Sequence, residues 1–177
     1  MANISKCVWF TGLPCSGKTT LTDGLRAKLL EKGVSSIVLD GDVLRRSLNS
    51  DLGFDIESRN IAMKRVAQLA YLICSQNINV LVSVISPLEK QREYVKKIFE
   101  RGNNFYEIYL STSIEECERR DTKGMYKRAR KKEIKDFTGI DSKYEKPNSP
   151  FMSLDTMKYS ISESVDLIHE KVFESMT

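Results

Sequence analysis

The chain has 177 residues, 41% of them hydrophobic and 29% charged, with a formal net charge of +4 at pH 7. This is the size and composition of one ordinary globular domain, able to bury roughly 70% of its unfolded surface, and no apolar run approaches the ~18 residues that a membrane span needs. The four cysteines, Cys7, Cys15, Cys74 and Cys117, form no CxxC pair, which argues against a disulfide framework and a zinc site.

The first residues, 1–6, lack the basic flank, long apolar stretch and cleavage site of a signal peptide, so a cytoplasmic location is expected. Residues 6–11 form a short apolar run, predicted as a buried strand. Directly after it, Gly12-Leu13-Pro14-Cys15-Ser16-Gly17-Lys18-Thr19 matches the GxxxxGK[ST] phosphate-binding pattern. The glycines let backbone N–H groups turn inward onto phosphates, and the following helix points its positive end at them. Lys18 then reaches the β- and γ-phosphates of ATP, and the Thr19 hydroxyl ligates Mg²⁺. The expected ATP-binding set is Gly12, Leu13, Pro14, Cys15, Ser16, Gly17, Lys18, Thr19 and Thr20. Context supports the match: Lys18–Glu31 has helical spacing through Leu21, Leu25, Leu29 and Leu30, and Gly33 stops it.

Residues 36–39 read as a second strand, with Asp40-Gly41-Asp42 at its carboxyl end. In an open parallel sheet that end faces the ligand crevice. Two carboxylates there orient Mg²⁺ or take the proton of an acceptor hydroxyl; the alternative is that they only cap the next helix. His169 is the only histidine and falls in a C-terminal helical pattern, as a surface or half-buried residue. Proton transfer must therefore rest on carboxylates or lysine.

A long helix follows, with Ala62, Val66, Leu69, Ala70 and Ile73 on one face. Residues 80–85 are nearly all apolar, as expected of a strand covered on both faces. Residues 89–100 read as a surface helix and Phe105–Leu110 as a further strand. Ser113 with Glu116, and Ser160 with Glu163, are capping boxes that open two more helices, the last carrying Val165, Leu167, Ile168 and Val172. Between them, 121–150 is polar, and a segment that long without regular pattern reads as a lid. Its first part is basic: Lys123, Lys127, Arg128, Arg130, Lys131, Lys132 and Lys135. The cluster suits an anionic small substrate. No interleaved aromatics and glycines accompany it, so no nucleic-acid partner is expected. Strands separated by helices predict an α/β fold, a doubly wound parallel sheet flanked by helices, as one domain over 1–177 with a mobile lid.

Several blocks resemble one family. Leu39-Asp40-Gly41-Asp42 through Leu48-Asn49-Ser50-Asp51-Leu52-Gly53-Phe54 resembles the DGDN…GLNxDLGF block of adenylylsulfate (APS) kinases, as do Ile85-Ser86-Pro87 and Arg120-Asp121-Thr122-Lys123-Gly124-Met125-Tyr126. Lys135-Asp136-Phe137-Thr138-Gly139-Ile140-Asp141, with Tyr144-Glu145 beyond, resembles that family's lid block. The likeness spans roughly 6–156 in the family's order.

The resemblance implies a P-loop kinase fold and the reaction ATP + APS → ADP + 3′-phosphoadenylylsulfate, with the 3′-hydroxyl of APS as nucleophile and Mg²⁺ as cofactor. It implies Lys18, Asp40, Asp42 and Ser86 as catalytic residues and Thr19 with Asp40 at the metal. Against the substrate it implies Asp42, Arg45, Phe54, Arg59, Ile85, Ser86, Lys123 and Phe137. Phe54 and Phe137 would sandwich the base, while Arg45 and Arg59 hold the phosphosulfate, matching the tendency of aromatic faces to stack and arginine forks to bind oxyanions. Ser86 stands where a phosphoserine intermediate is often described, and simple substrate contact is the preferred role. A homodimer is implied too.

Four departures stand out: Val43 replaces an asparagine, Ala62 another, Leu88-Glu89 an aromatic and an arginine, and Pro14-Cys15 small residues. Ala62 and Glu89 are expected to weaken the acceptor site. Two alternatives follow: a relative acting on another nucleotide such as cytidine diphosphoramidate, and a non-catalytic nucleotide sensor.

Overall fold

The computed structural model describes residues 5–100 and 104–174. Residues 1–4, part of the stretch read for a signal peptide, lie outside it. Five apolar runs become parallel strands: β1 (Cys7–Gly12), β2 (Ser36–Asp40), β3 (Asn79–Ser83), β4 (Phe105–Leu110) and β5 (Met152–Leu154). Their order is β2-β3-β1-β4-β5, every pairing parallel. Helices α1 (Lys18–Glu31), α2 (Gly41–Arg46), α3 (Ile56–Ser75), α4 (Glu89–Phe99), α5 (Ile114–Arg120), α6 (Met125–Arg130) and α7 (Ile161–His169) connect or follow them, and α7 runs into a π-helical turn, Glu170–Glu174. No helix among the described residues is long and apolar enough to cross a membrane.

Alternate residues of each strand serve opposite layers. Cys7, Trp9, Val80 and Val82 pack with Met63, Val66, Ala67 and Ala70 of α3 and with Val95 and Phe99 of α4. Val8, Phe10, Leu81, Ile108 and Leu110 pack with Leu21, Leu25 and Leu29 of α1 and with Val165 and Ile168 of α7. The whole of β1 is buried, which is why it reads as an unbroken apolar run. From β1 the chain winds first to β2 and β3 and then crosses to β4. The loop after β1 thus sits where the winding reverses, the usual place for a ligand crevice.

Several expectations need correcting. β3 stops at Ser83, although Val84 stays in the core with its N–H on the Phe10 carbonyl at 3.3 Å, and Ile85 is half-buried. Ser113 does accept from the Glu116 N–H at 3.3 Å, but the Glu116 carboxylate turns to Arg119 and Arg120, so only half a capping box forms. The Ser160–Glu163 box is complete, with bonds of 2.8 and 3.2 Å. His169 is buried rather than at the surface, stacked on Phe173, and burial lowers its pKa. Leu30 is exposed and Leu167 half-buried, so neither is core. Short elements escaped the periodicity: α2, α6 inside the 121–150 segment, and the edge strand β5.

Candidate active site

The loop between β1 and α1 is shaped by residues that tolerate left-handed backbone. At Gly12 (φ 153°) a Cβ would lie 2.8 Å from Ser16 Oγ and 2.9 Å from the Leu110 carbonyl. Gly17 (φ 101°) stands at the N-cap of α1, and Cys15 adopts φ 61°. Lys18 Nζ donates to the carbonyls of Gly12 (3.0 Å) and Leu13 (2.6 Å), so the ammonium spans the mouth of the loop. Burial lowers its pKa to about 8, with nearby Cys117, Cys15, Asp42 and Asp40 pulling the other way.

On one flank Thr112 and Thr156 both direct hydroxyls to the Ser16 carbonyl, at 3.1 and 3.4 Å, and Arg120 Nη1 donates to Thr156 Oγ1 at 2.9 Å. Arg120 and Thr156 are residues that the sequence reading did not assign to the site. Arg120 lies inside a family-like block without a distinguishing local signal. Thr156 has none, because only the sheet brings β5 beside the loop.

On the other flank Thr19 Oγ1 donates to Asp40 Oδ2 at 3.0 Å and lies 3.4 Å from Ser83 Oγ. Asp40 Oδ1 accepts the N–H groups of Asp42 (2.9 Å) and Val43 (3.2 Å). Asp40 therefore caps α2 with one oxygen and turns the other to Thr19. Asp42 is exposed and paired with Lys123 from the turn after α5. A cavity of about 470 Å³ opens here, lined by Thr19, Asp40, Asp42, Val43, Arg46, Ser47 and Lys123. No group of three or more His, Cys, Asp or Glu able to hold a metal exists among the described residues. One hydroxyl and one carboxylate oxygen side by side fit Mg²⁺, which takes few protein ligands and completes its shell with phosphates and water.

The remaining expected residues divide. Phe54 is 62% exposed, with the Arg45 guanidinium 4.7 Å from its ring centre. Arg45 Nη1 donates to the Gly53 carbonyl at 2.7 Å. Arg59, at the start of α3, donates to the Phe54 carbonyl (2.6 Å), Thr138 Oγ1 (2.8 Å) and the Asp136 carbonyl. It thus ties the segment carrying Phe54 to the one carrying Phe137. Phe137 itself is buried, edge-on to Tyr126 with centroids 4.9 Å apart, in a cluster reaching Leu13 and Cys15. Only one ring of the expected sandwich is therefore open to solvent.

Ser86 lies beneath the site surface, 1% exposed, with φ 38°. Its hydroxyl donates to Thr11 Oγ1 at 2.8 Å and accepts from the Trp9 indole at 3.2 Å. Ile85 is half-buried, its carbonyl accepting from Thr11 Oγ1 at 2.7 Å. Among the departures, Val43 is exposed on α2 and Ala62 is buried on α3. The Glu89 carboxylate turns inward onto Arg92, away from the crevice.

The family model for adenylylsulphate kinase matches residues 4–155. A probable adenylyl-sulfate kinase of Halalkalibacterium halodurans is 41% identical over 172 residues, covering 97% of this chain and 82% of that protein. The adenylyl-sulfate kinase of Clostridium acetobutylicum is 46% identical over 163 residues, covering 92% and 80%. Among solved structures, the APS kinase of Mycobacterium tuberculosis in complex with AMPPNP and APS superposes with a TM-score of 0.91 at 42% identity, covering 95% of this chain and 97% of that one.

Proposed function

This chain belongs to the adenylylsulfate kinase family, and from that premise we propose that it transfers the γ-phosphoryl group of ATP to the 3′-hydroxyl of APS. The observation that carries the reading is the convergence of separate sequence blocks on one side of the phosphate loop. Asp40 meets Thr19, Asp42 meets Lys123, and Arg59 joins the Phe54 segment to the Thr138 segment.

The loop amides and the N-terminus of α1 bind the ATP phosphates. The Lys18 ammonium exchanges the carbonyls of Gly12 and Leu13 for phosphate oxygens. Thr19 and Asp40 would hold Mg²⁺, which supplies charge neutralisation at the β- and γ-oxygens when bound. Arg120 and Thr156 line the opposite flank. Asp40 is committed twice, to the α2 cap and to Thr19, so Asp42 is the carboxylate left to receive the acceptor's proton. As the acceptor oxygen bonds to phosphorus, the bond from phosphorus to ADP breaks. Lys123, released from Asp42, stabilises the charge on the group in flight.

This transition state is loose, so positioning and charge contribute more than proton removal. Phe54 stacks on the base of APS, Phe137 backs the far wall, and Arg45 and Arg59 face its anionic end. Ser86 and Ile85 support the floor. The 121–150 segment acts as the lid, and the active species is a homodimer working in the cytoplasm.

The test is ADP release with Mg-ATP and, separately, APS, cytidine diphosphoramidate or no acceptor. Turnover with APS is expected. Turnover confined to the cytidine compound would replace the acceptor, and silence with all of them despite ATP binding would leave a nucleotide sensor.

A further inference from the structure

Arg92, in the first turn of α4, is a charged side chain with no exposure at all. Its guanidinium is divided among four partners. Nη1 donates to the Ser86 carbonyl at 2.7 Å, and Nη2 to the Glu145 carbonyl at 2.7 Å and to the Glu89 carboxylate. Nε lies 3.3 Å from Glu107 Oε1, and the Tyr144 ring centre is 5.8 Å away. Glu107, buried in the middle of β4, has no hydrogen-bond partner for either oxygen and is neutralised by Arg92 and by Lys96 at 2.6 Å. Two cations thus face two anions, Glu89 and Glu107, which is what burying such charges requires.

The partners belong to two walls of the crevice. Ser86 and Pro87 form the loop at the carboxyl end of β3. Tyr144 and Glu145 are the end of the 121–150 segment where it rejoins the body, just beyond the turn that carries Phe137 and Thr138. Around Arg92 these stretches are knotted together. Glu145 N–H donates to the Pro87 carbonyl at 2.8 Å. Glu145 Oε2 accepts the Glu89 N–H at 2.9 Å, capping α4 from a distance of 56 residues, because Leu88 at the N-cap has no side-chain acceptor. The Tyr144 and Ser86 hydroxyls meet on Thr11 Oγ1, at 2.9 and 2.8 Å.

We propose that Arg92 is a positioning residue of the acceptor site: its fork fixes the foot of the lid to the Ser86 loop, so that both walls around APS are set together. The inference rests on the APS kinase reading and adds to it a residue that touches neither substrate. Glu89, which stands where an arginine is usual, then serves as Arg92's counter-charge and does not weaken acceptor binding.

Arg92→Lys is the sharper variant, since it keeps the charge that Glu107 needs but replaces a fork of three separated nitrogens with one, which cannot span the same partners. The expected result is a KM for APS raised at least ten-fold, with the KM for ATP and the kcat within about two-fold. Trypsin should also cut the basic 127–135 run several times faster than in the wild type. An unchanged KM for APS with unchanged cleavage, in a folded variant, overturns the inference. So does an equal loss in kcat and in both KM values, which marks general disruption. If circular dichroism shows that Arg92→Lys does not fold, Tyr144→Phe, which deletes the hydroxyl bond to Thr11, must give the same pattern. Should the wild type itself fail to use APS, the proposed function falls, and the trypsin comparison decides the role of Arg92 alone.

Discussion

Lys18 carries a proton whose presence depends on what fills the loop. Burial holds its pKa near 8 while it donates to the Gly12 and Leu13 carbonyls. Bound phosphates favour the charged form, so nucleotide binding raises that pKa. The free protein is increasingly neutral at Lys18 above about pH 8, and ATP must then bring a proton in. Calorimetry at pH 8.5 in two buffers of different ionisation enthalpy should find proton uptake, with affinity falling as pH rises through 8. Lys18→Met should abolish the uptake; an equal uptake in that variant would assign the proton elsewhere. Phe54 offers a second test at this scale, because it is exposed and its loss leaves no cavity. Base stacking on an aromatic is worth roughly 1–3 kcal/mol. Phe54→Ala should accordingly raise the KM for APS about ten-fold at an unchanged melting temperature. Phe137→Ala is the poorer probe, since Phe137 packs on Tyr126 and its removal also costs stability.

At the scale of elements, α2 begins where β2 ends, and Asp40 serves both. Its Oδ1 satisfies two N–H groups at the helix start while Oδ2 faces Thr19. The substitution Asp40→Asn separates the roles, because asparagine caps a helix about as well as aspartate but lacks the charge a cation needs. The expected outcome is a melting temperature within a degree or two of the wild type and a several-fold higher Mg²⁺ concentration for half-maximal turnover. A large fall in melting temperature at an unchanged Mg²⁺ requirement would mean that the cap is all Asp40 does. The capping box that opens α7 is, by comparison, complete in both directions.

For the whole molecule, the site is assembled from the ends of β1, β2 and β3 and from segments held against them, so occupancy should stabilise the entire domain. A ligand that binds only the folded state adds RT ln(1 + [L]/Kd), about 2.7 kcal/mol at a hundred times Kd. In a chain this long that shifts the melting temperature by roughly 5–10 °C. Saturating Mg-ATP should produce such a shift, and Lys18→Ala should lose most of it. A full shift in Lys18→Ala would place the nucleotide outside the loop between β1 and α1.

The sequence by itself determined the phosphate loop, the parallel sheet and the family. Those signals are local: glycines at fixed spacing, apolar runs of strand length, and blocks of identities in order. It left open what Asp40 does, and the answer is two roles, because cap and Thr19 partner use different oxygens of one carboxylate. Only the tertiary structure brought Thr156 beside the loop, through the pairing of β5 with β4, and set Arg120 of α5 against it. It also buried Ser86 and Phe137, and it set Arg92 of α4 against Glu107 of β4. Burial and charge pairing are settled by which distant segments pack together, and a residue's own neighbours in sequence hold no record of that.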